Sequence, residues 1–147
     1  MARTTHKFLL PTLLALAALA LPAPATAAPA EPAAPLAGRC LSEGNLGGVF
    51  VNVCMDTGKQ RWTIEGDKIR RSGSSWCLSE GNLGGTVALG VCMNTGRQRW
   101  AIEGDKIRLA GSSRCLSGNG TSAGLNTCMN TGHQRWLVQG EKIILNN

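Results

Sequence analysis

A seven-residue phrase occurs three times in this chain: DTGKQRW at 56–62, NTGRQRW at 94–100 and NTGHQRW at 130–136. Only its first and fourth letters vary. Aligned on the phrase, the rest of the chain falls into register. Trp62, Trp100 and Trp136 are 38 and 36 residues apart, and Cys40, Cys77 and Cys115 are 37 and 38 apart. Cys-Leu-Ser opens each unit, CLSEGNLGG is identical at 40–48 and 77–85, and EGDKIR at 65–70 recurs at 103–108 and becomes QGEKII at 139–144. A repeat of this period is one supersecondary piece that cannot bury its apolar face alone, so the copies must pack on one another. The units run over about 38–74, 75–112 and 113–147.

Within a unit the pattern is that of strands. Val49, Val51 and Val53 alternate with Phe50 and Asn52, as Val87, Leu89 and Val91 do in the second copy. Trp62 shares a strand face with Ile64, Trp100 with Ile102 and Trp136 with Val138. Gly66-Asp67, Gly104-Asp105 and Gly140-Glu141 turn into Lys-Ile strands. Period-two alternation between glycine turns predicts hairpins, and no window after residue 37 predicts a helix. The expectation is about four short strands per unit and twelve in all. Their edges must be hidden. A propeller uses four-stranded units but typically four to eight of them, so three units predict a closed, all-β barrel with pseudo-threefold symmetry.

The amino-terminal stretch reads differently. Arg3 and Lys7 precede an apolar run at 8–21, and small residues with Ala25-Thr26-Ala27 follow it. That order is a secretory signal peptide, expected at 1–27. The apolar run is short for a bilayer span and holds Pro11. Residues 28–37, APAEPAAPLA, predict an extended tether. The domain is expected over 38–147, as a secreted, extracellular product without a membrane span. The chain carries 15 basic and 9 acidic residues. Without Arg3 and Lys7 the balance is +4, spread along the chain, with Arg70-Arg71 the only basic doublet. A nucleic-acid partner would need a basic face, so none is expected.

The chain holds six cysteines, two per unit. In a secreted domain this predicts disulfides. Six cysteines allow 15 pairings; repetition selects Cys40–Cys54, Cys77–Cys92 and Cys115–Cys128. Each closes a loop worth roughly 3 kcal/mol in the chain-entropy model. A metal site would want C-x-x-C spacing or repeated histidines. Neither is present, so no metal and no cofactor is expected.

A Cys-Leu opening, a Gly-rich loop, an alternating strand into a second Cys and then Gln-x-Trp, three times over, resembles the ricin-type (R-type, ricin B-like) β-trefoil lectin family across the whole of 38–147. The resemblance implies six strands in a short barrel and six in hairpins that cap one end. It implies that Trp62, Trp100 and Trp136 pack in the shared core and that Gln60, Gln98 and Gln134 fix their loops. In galactose-binding members an Asp two residues after the first Cys, an aromatic two before the second Cys, a polar residue before the Gln, and the Gln itself form the pocket. Here those positions hold Ser42, Ser79 and Ser117; Asn52, Gly90 and Asn126; Lys59, Arg97 and His133; and the three glutamines. A hydroxyl accepts a weaker hydrogen bond than a carboxylate, and Asn52, Gly90 and Asn126 offer no stacking platform at the aromatic position.

A relocated sugar site is the alternative, using Glu43, Asn45, Glu80 and Asn82 of the duplicated SEGNLGG loops with Trp76 or Phe50 as platform. Trp76 shares strand parity with Leu78, which predicts partial burial. His133 is the sole histidine after residue 37 and varies among the repeats, and the carboxylates recur in turns instead of gathering in one cleft. Neither is how an active site is built. The sequence therefore predicts a non-catalytic carbohydrate-binding module with more than one site for a polysaccharide or glycan. A protein-interaction subunit of a secreted complex and a purely structural domain are the other readings.

Overall fold

The computed structural model describes residues 38–146; the expected signal peptide and tether lie outside the described residues. Twelve strands are present among the described residues. The first unit holds β1 (Arg39–Glu43), β2 (Val49–Val53), β3 (Trp62–Glu65) and β4 (Lys68–Arg71). The second holds β5 (Trp76–Glu80), β6 (Val87–Val91), β7 (Trp100–Glu103) and β8 (Lys106–Leu109). The third holds β9 (Arg114–Asn119), β10 (Ser122–Thr127), β11 (Trp136–Gln139) and β12 (Lys142–Leu145). The four strands expected per unit are all there. The repeated phrase adds one 3-10 turn per unit, at Gly58–Gln60, Gly96–Gln98 and Gly132–Gln134.

Each unit is two antiparallel hairpins, such as β1–β2 and β3–β4. Consecutive units join where β4 meets β5 (Arg70↔Cys77), β8 meets β9 (Arg108↔Cys115) and β12 meets β1 (Cys40↔Ile144). Two rings then close the threefold arrangement. In the first, β2, β6 and β10 touch pairwise through Gly48↔Ala88, Thr86↔Gly124 and Ser122↔Phe50. The approach is closest at Gly124, where a Cβ would stand 2.7 Å from the Gly85 carbonyl oxygen. In the second, the backbone N–H of each phrase tryptophan donates to the hairpin turn of another unit. Trp62 reaches the Glu141 carbonyl, Trp100 that of Asp67 and Trp136 that of Asp105, each at 2.8 Å. The rings occupy what would otherwise be open sheet edges, as the edge argument requires.

The core lies between the rings and repeats with the sequence. The first unit contributes Leu41, Val51, Trp62 and Ile69, the second Leu78, Leu89, Trp100 and Ile107, the third Leu116, Leu125, Trp136 and Ile143. Each indole Nε1 donates at 2.9 Å to the carbonyl of the Leu that follows its unit's first cysteine: Leu41, Leu78 and Leu116. Burying an indole needs such a partner. Alternation stops short of its predicted extent. Val53 and Val91 are exposed, because by then the strand has left the core towards its disulfide, and Ile64 and Ile102 sit in exposed hairpins. The disulfides pair within units, Cys40–Cys54, Cys77–Cys92 and Cys115–Cys128.

The two identical CLSEGNLGG segments do not fold identically. In the first loop Leu46 and Gly47 take left-handed conformations (φ 57° and 77°), whereas in the second the pair is Gly84 and Gly85 (56° and 69°), one position later. The reason is length. Glu43 pairs with Val49 in the first unit, but Glu80 pairs with Val87 in the second, whose connection has one more residue. The shorter loop must turn early, and a leucine takes the position that favours glycine, at about 1–2 kcal/mol.

Two consequences can be measured by urea denaturation. Trp100→Ala removes an indole that is 3% exposed together with its hydrogen bond, and is expected to cost about 3–5 kcal/mol. Leu46→Gly relieves the left-handed strain and gives back part of the gain through a freer unfolded chain, for a net stabilisation of about 0.5–1 kcal/mol. Leu83→Gly, at the matching position without positive φ, should destabilise by a similar amount.

Candidate functional site

The phrase glutamine is an internal clamp. Gln60 is 1% exposed; its Oε1 accepts from the Met55 N–H at 2.6 Å and its Nε2 donates to the Val53 carbonyl at 2.8 Å. The amide thus bridges the two residues that flank Cys54. Gln98 does the same for Met93 and Val91, and Gln134 for Met129 and Thr127. The phrase arginine clamps the outside. Arg61 donates to Asp56, Arg99 to Asn94 and Arg135 to Asn130, so the variable first letter always offers an oxygen. The hydrogen bond from Arg61 holds the Asp56 carboxyl below the ordinary carboxylate range.

Against this frame lie three hollows, one per unit, at the positions given by the resemblance. The first, of about 310 Å³, is bordered by Ser42, Gly44, Phe50, Asn52 and Thr121. The second, about 320 Å³, is bordered by Ser79, Asn82, Gly90, Met93, Arg97 and Gln98 among others. The third, about 420 Å³, collects Ser117, Asn119, Asn126, Met129, His133 and Gln134. The family-position residues therefore line hollows except Lys59 and Gln60 of the first unit, and the Gln60 amide is turned wholly to the backbone. Ser42 and Ser79 donate to the carbonyls of Glu43 and Glu80, which leaves their oxygens free to accept. At Gly90 a Cβ would already stand 3.2 Å from Gln98 Nε2, so a side chain at that position would crowd the clamp.

The relocated loop residues do not form one site. Asn82 Oδ1 accepts from Arg97 across the second hollow at 2.9 Å. Glu80 accepts from Arg114 of the third unit at 2.5 Å. Asn45 is exposed and borders none of the hollows described. Glu43 pairs with Arg71 and borders, with Trp76, a fourth hollow between the first two units. Trp76 is 44% exposed, which is the partial burial that parity with Leu78 predicts: β5 begins at Trp76, and its first residue lies at the edge of the core. Phe50 is 46% exposed and its ring covers Gly44, where a Cβ would overlap it.

Sequence reasoning missed the methionines. Met55, Met93 and Met129 follow the second cysteine of each unit, are 51%, 57% and 56% exposed, and two of them border hollows. The signal was present as Cys-Met-x-Thr-Gly in all three copies. A thioether is an adaptable apolar surface, placed in the second and third hollows where no aromatic stands. Among the described residues no group of three or more His, Cys, Asp or Glu side chains could hold a metal ion.

The model of the ricin-type beta-trefoil lectin domain family matches residues 33–136. No curated protein matches the chain. Among solved structures, a non-toxic homologue of type II RIPs from Momordica charantia (bitter gourd), in complex with alpha-methyl-D-galactoside, superposes with a TM-score of 0.62 at 20% identity, over 72% of this chain and 44% of that one. GalNAc-T7 with UDP, GalNAc and Mn2+ superposes with a TM-score of 0.62 at 18% identity, over 73% of this chain and 21% of that one. This chain thus spans less than half the length of either. At such identities the likeness is one of fold.

The clamp yields a test separate from any ligand. Gln98→Ala leaves the Met93 N–H and the Val91 carbonyl without their partner and should cost about 1–3 kcal/mol in urea denaturation, with Gln60→Ala costing the same.

Proposed function

The chain belongs to the ricin-type β-trefoil lectin family, and from that premise we propose that it is a secreted, non-catalytic carbohydrate-binding protein that engages a glycan or polysaccharide through more than one of its units. The observation that carries this reading is the recurrence of a hollow edged by polar side chains, at the position the family uses for sugar, in all three units. Each offers serine, asparagine or glutamine groups beside an apolar surface: the Phe50 ring in the first, Met93 and Met129 in the others. That is the combination a sugar asks for, with hydroxyls to pair and a C–H face to cover.

Several features support the details. The three disulfides fit an oxidising compartment. Glu43, Glu65, Glu80 and Glu103 are held in ion pairs with arginines, which is how surface charges are used and not how a general acid is kept. The hollows are open and lack the charge-assisted carboxylate of galactose-binding members, so affinity for one sugar falls in the millimolar range, about −4 kcal/mol. Several weak sites on one rigid body gain affinity only for a polymer, through effective concentration.

The same missing carboxylate and aromatic favour a second reading, in which the trefoil is a protein-interaction subunit. Retention of the disulfide-intact protein on a panel of insoluble polysaccharides, together with a glycan array, separates the two. We expect retention by at least one polymer, competed by its soluble fragments, and only weak signals from monosaccharides. Silence across the panel would remove the carbohydrate reading in favour of the protein partner.

A further inference from the structure

We propose that the hollow at the seam between the first and second units is a separate site that holds one pyranose ring of the glycan. The carbohydrate reading supplies the ligand class, and the seam supplies the place. The hollow has a volume of about 300 Å³ and is bordered by Glu43, Leu46 and Gly47 of the first unit and Trp76 and Leu89 of the second. It is not one of the three repeated hollows, although Glu43 also borders the first of them and Leu89 the second, and it uses neither the phrase glutamines nor the serines after the first cysteines.

Comparison of the three seams shows what is special about this one. The residue before the first cysteine is Arg39, Trp76 or Arg114, and the residue after the opening Cys-Leu-Ser is Glu43, Glu80 or Gly118. At the second seam Arg114 Nη1 meets Glu80 Oε1 at 2.5 Å, so an ion pair joins the units there. At the third seam the corresponding residues are Gly118 and Arg39, which leaves no carboxylate. Only at the first seam does a carboxylate face an aromatic. With tryptophan in place of the seam arginine, Glu43 forms an ion pair through Oε2 with Arg71 of its own unit, without a hydrogen bond between the two groups. Its Oε1 takes no hydrogen bond from the described residues and can accept from a ligand hydroxyl.

Two exposed apolar groups complete the walls. Trp76 is 44% exposed, whereas the other three tryptophans are 2–3% exposed, and Leu46 is fully exposed. Leu46 is also the one non-glycine residue with positive φ among those described. An indole face, a leucine side chain and one carboxylate oxygen match a ring that has a C–H face and hydroxyls on its edge. A wholly apolar ligand would cover Glu43 Oε1 without giving it a hydrogen bond, and a cation would face Arg71.

Trp76 provides its own reporter. The full chain, disulfides intact, is titrated with soluble xylan, mannan, galactomannan and β-1,3-glucan while iodide quenching of tryptophan fluorescence is followed. The buried indoles are out of reach of iodide, so the quenchable fraction belongs to Trp76. We expect the bound polysaccharide to abolish that fraction. Trp76→Ala should weaken retention about tenfold, Glu43→Gln less, and Trp76→Phe should restore most of the loss. Binding that leaves the quenching and the Trp76→Ala affinity unchanged would overturn the seam site and leave the carbohydrate reading standing. Failure of all four polymers to bind the wild-type chain would remove both. The quenching readout needs no variant, so a misfolded substitution could not hide the answer.

Discussion

Everything in this fold depends on what each phrase tryptophan does with its two N–H groups. The indole N–H is donated to the Cys-Leu carbonyl at the start of its own unit, and the backbone N–H to the hairpin turn of a different unit. One residue therefore fixes the two hairpins of a unit to each other and the unit to its neighbour. Because the arrangement is cyclic, each tryptophan's contact is completed by another, and the core between them has no free face. The nearly constant spacing of the phrase within the chain, and of the cysteines before it, follows from this geometry: Leu and Trp are 21, 22 and 20 residues apart in the three units, and the difference has to be absorbed in a loop.

The loops are where the difference is absorbed, and the symmetry of the core does not extend to them. One additional residue before β6 shifts the left-handed pair from Leu46-Gly47 to Gly84-Gly85 although both pairs lie within an identical nine-residue stretch. The second loop then lies beside Arg97, which takes Asn82, while the first presents Leu46 to the seam. The hollows diverge in the same manner: an aromatic ring in one, thioethers in the others, a histidine only in the third. Three copies of one scaffold have become three surfaces of different chemistry without disturbing the tryptophans beneath.

How far the sequence could be read follows the same division. Strand number, disulfide pairing and the buried tryptophans were legible because they repeat, and repetition averages out local ambiguity. The ends of the strands were not. Alternation continues through Val53 and Val91, yet the strand turns from the core before reaching them, and periodicity carries no information about where a barrel stops. Trp76 has the parity of a core residue and the position of a strand's first residue, and it is accordingly only half-buried. The left-handed Leu46 was invisible because it depends on a loop length that has meaning only beside the sister unit. The positions that border the hollows could be located from the family pattern, but that each phrase glutamine spends its amide on the chain flanking a cysteine appears only once distances are available.

The junction between β12 and β1 is built on the same ladder as those between β4 and β5 and between β8 and β9: Cys40 faces Ile144 as Cys77 faces Arg70 and Cys115 faces Arg108. The packed body thus makes no distinction between a seam the backbone crosses and one it does not. Linking residue 146 back to residue 38 and opening the chain between the first two units would yield the same rings and the same core from a permuted gene. In such a trefoil the order of the units is a property of the message, and the folded molecule retains only their cyclic order.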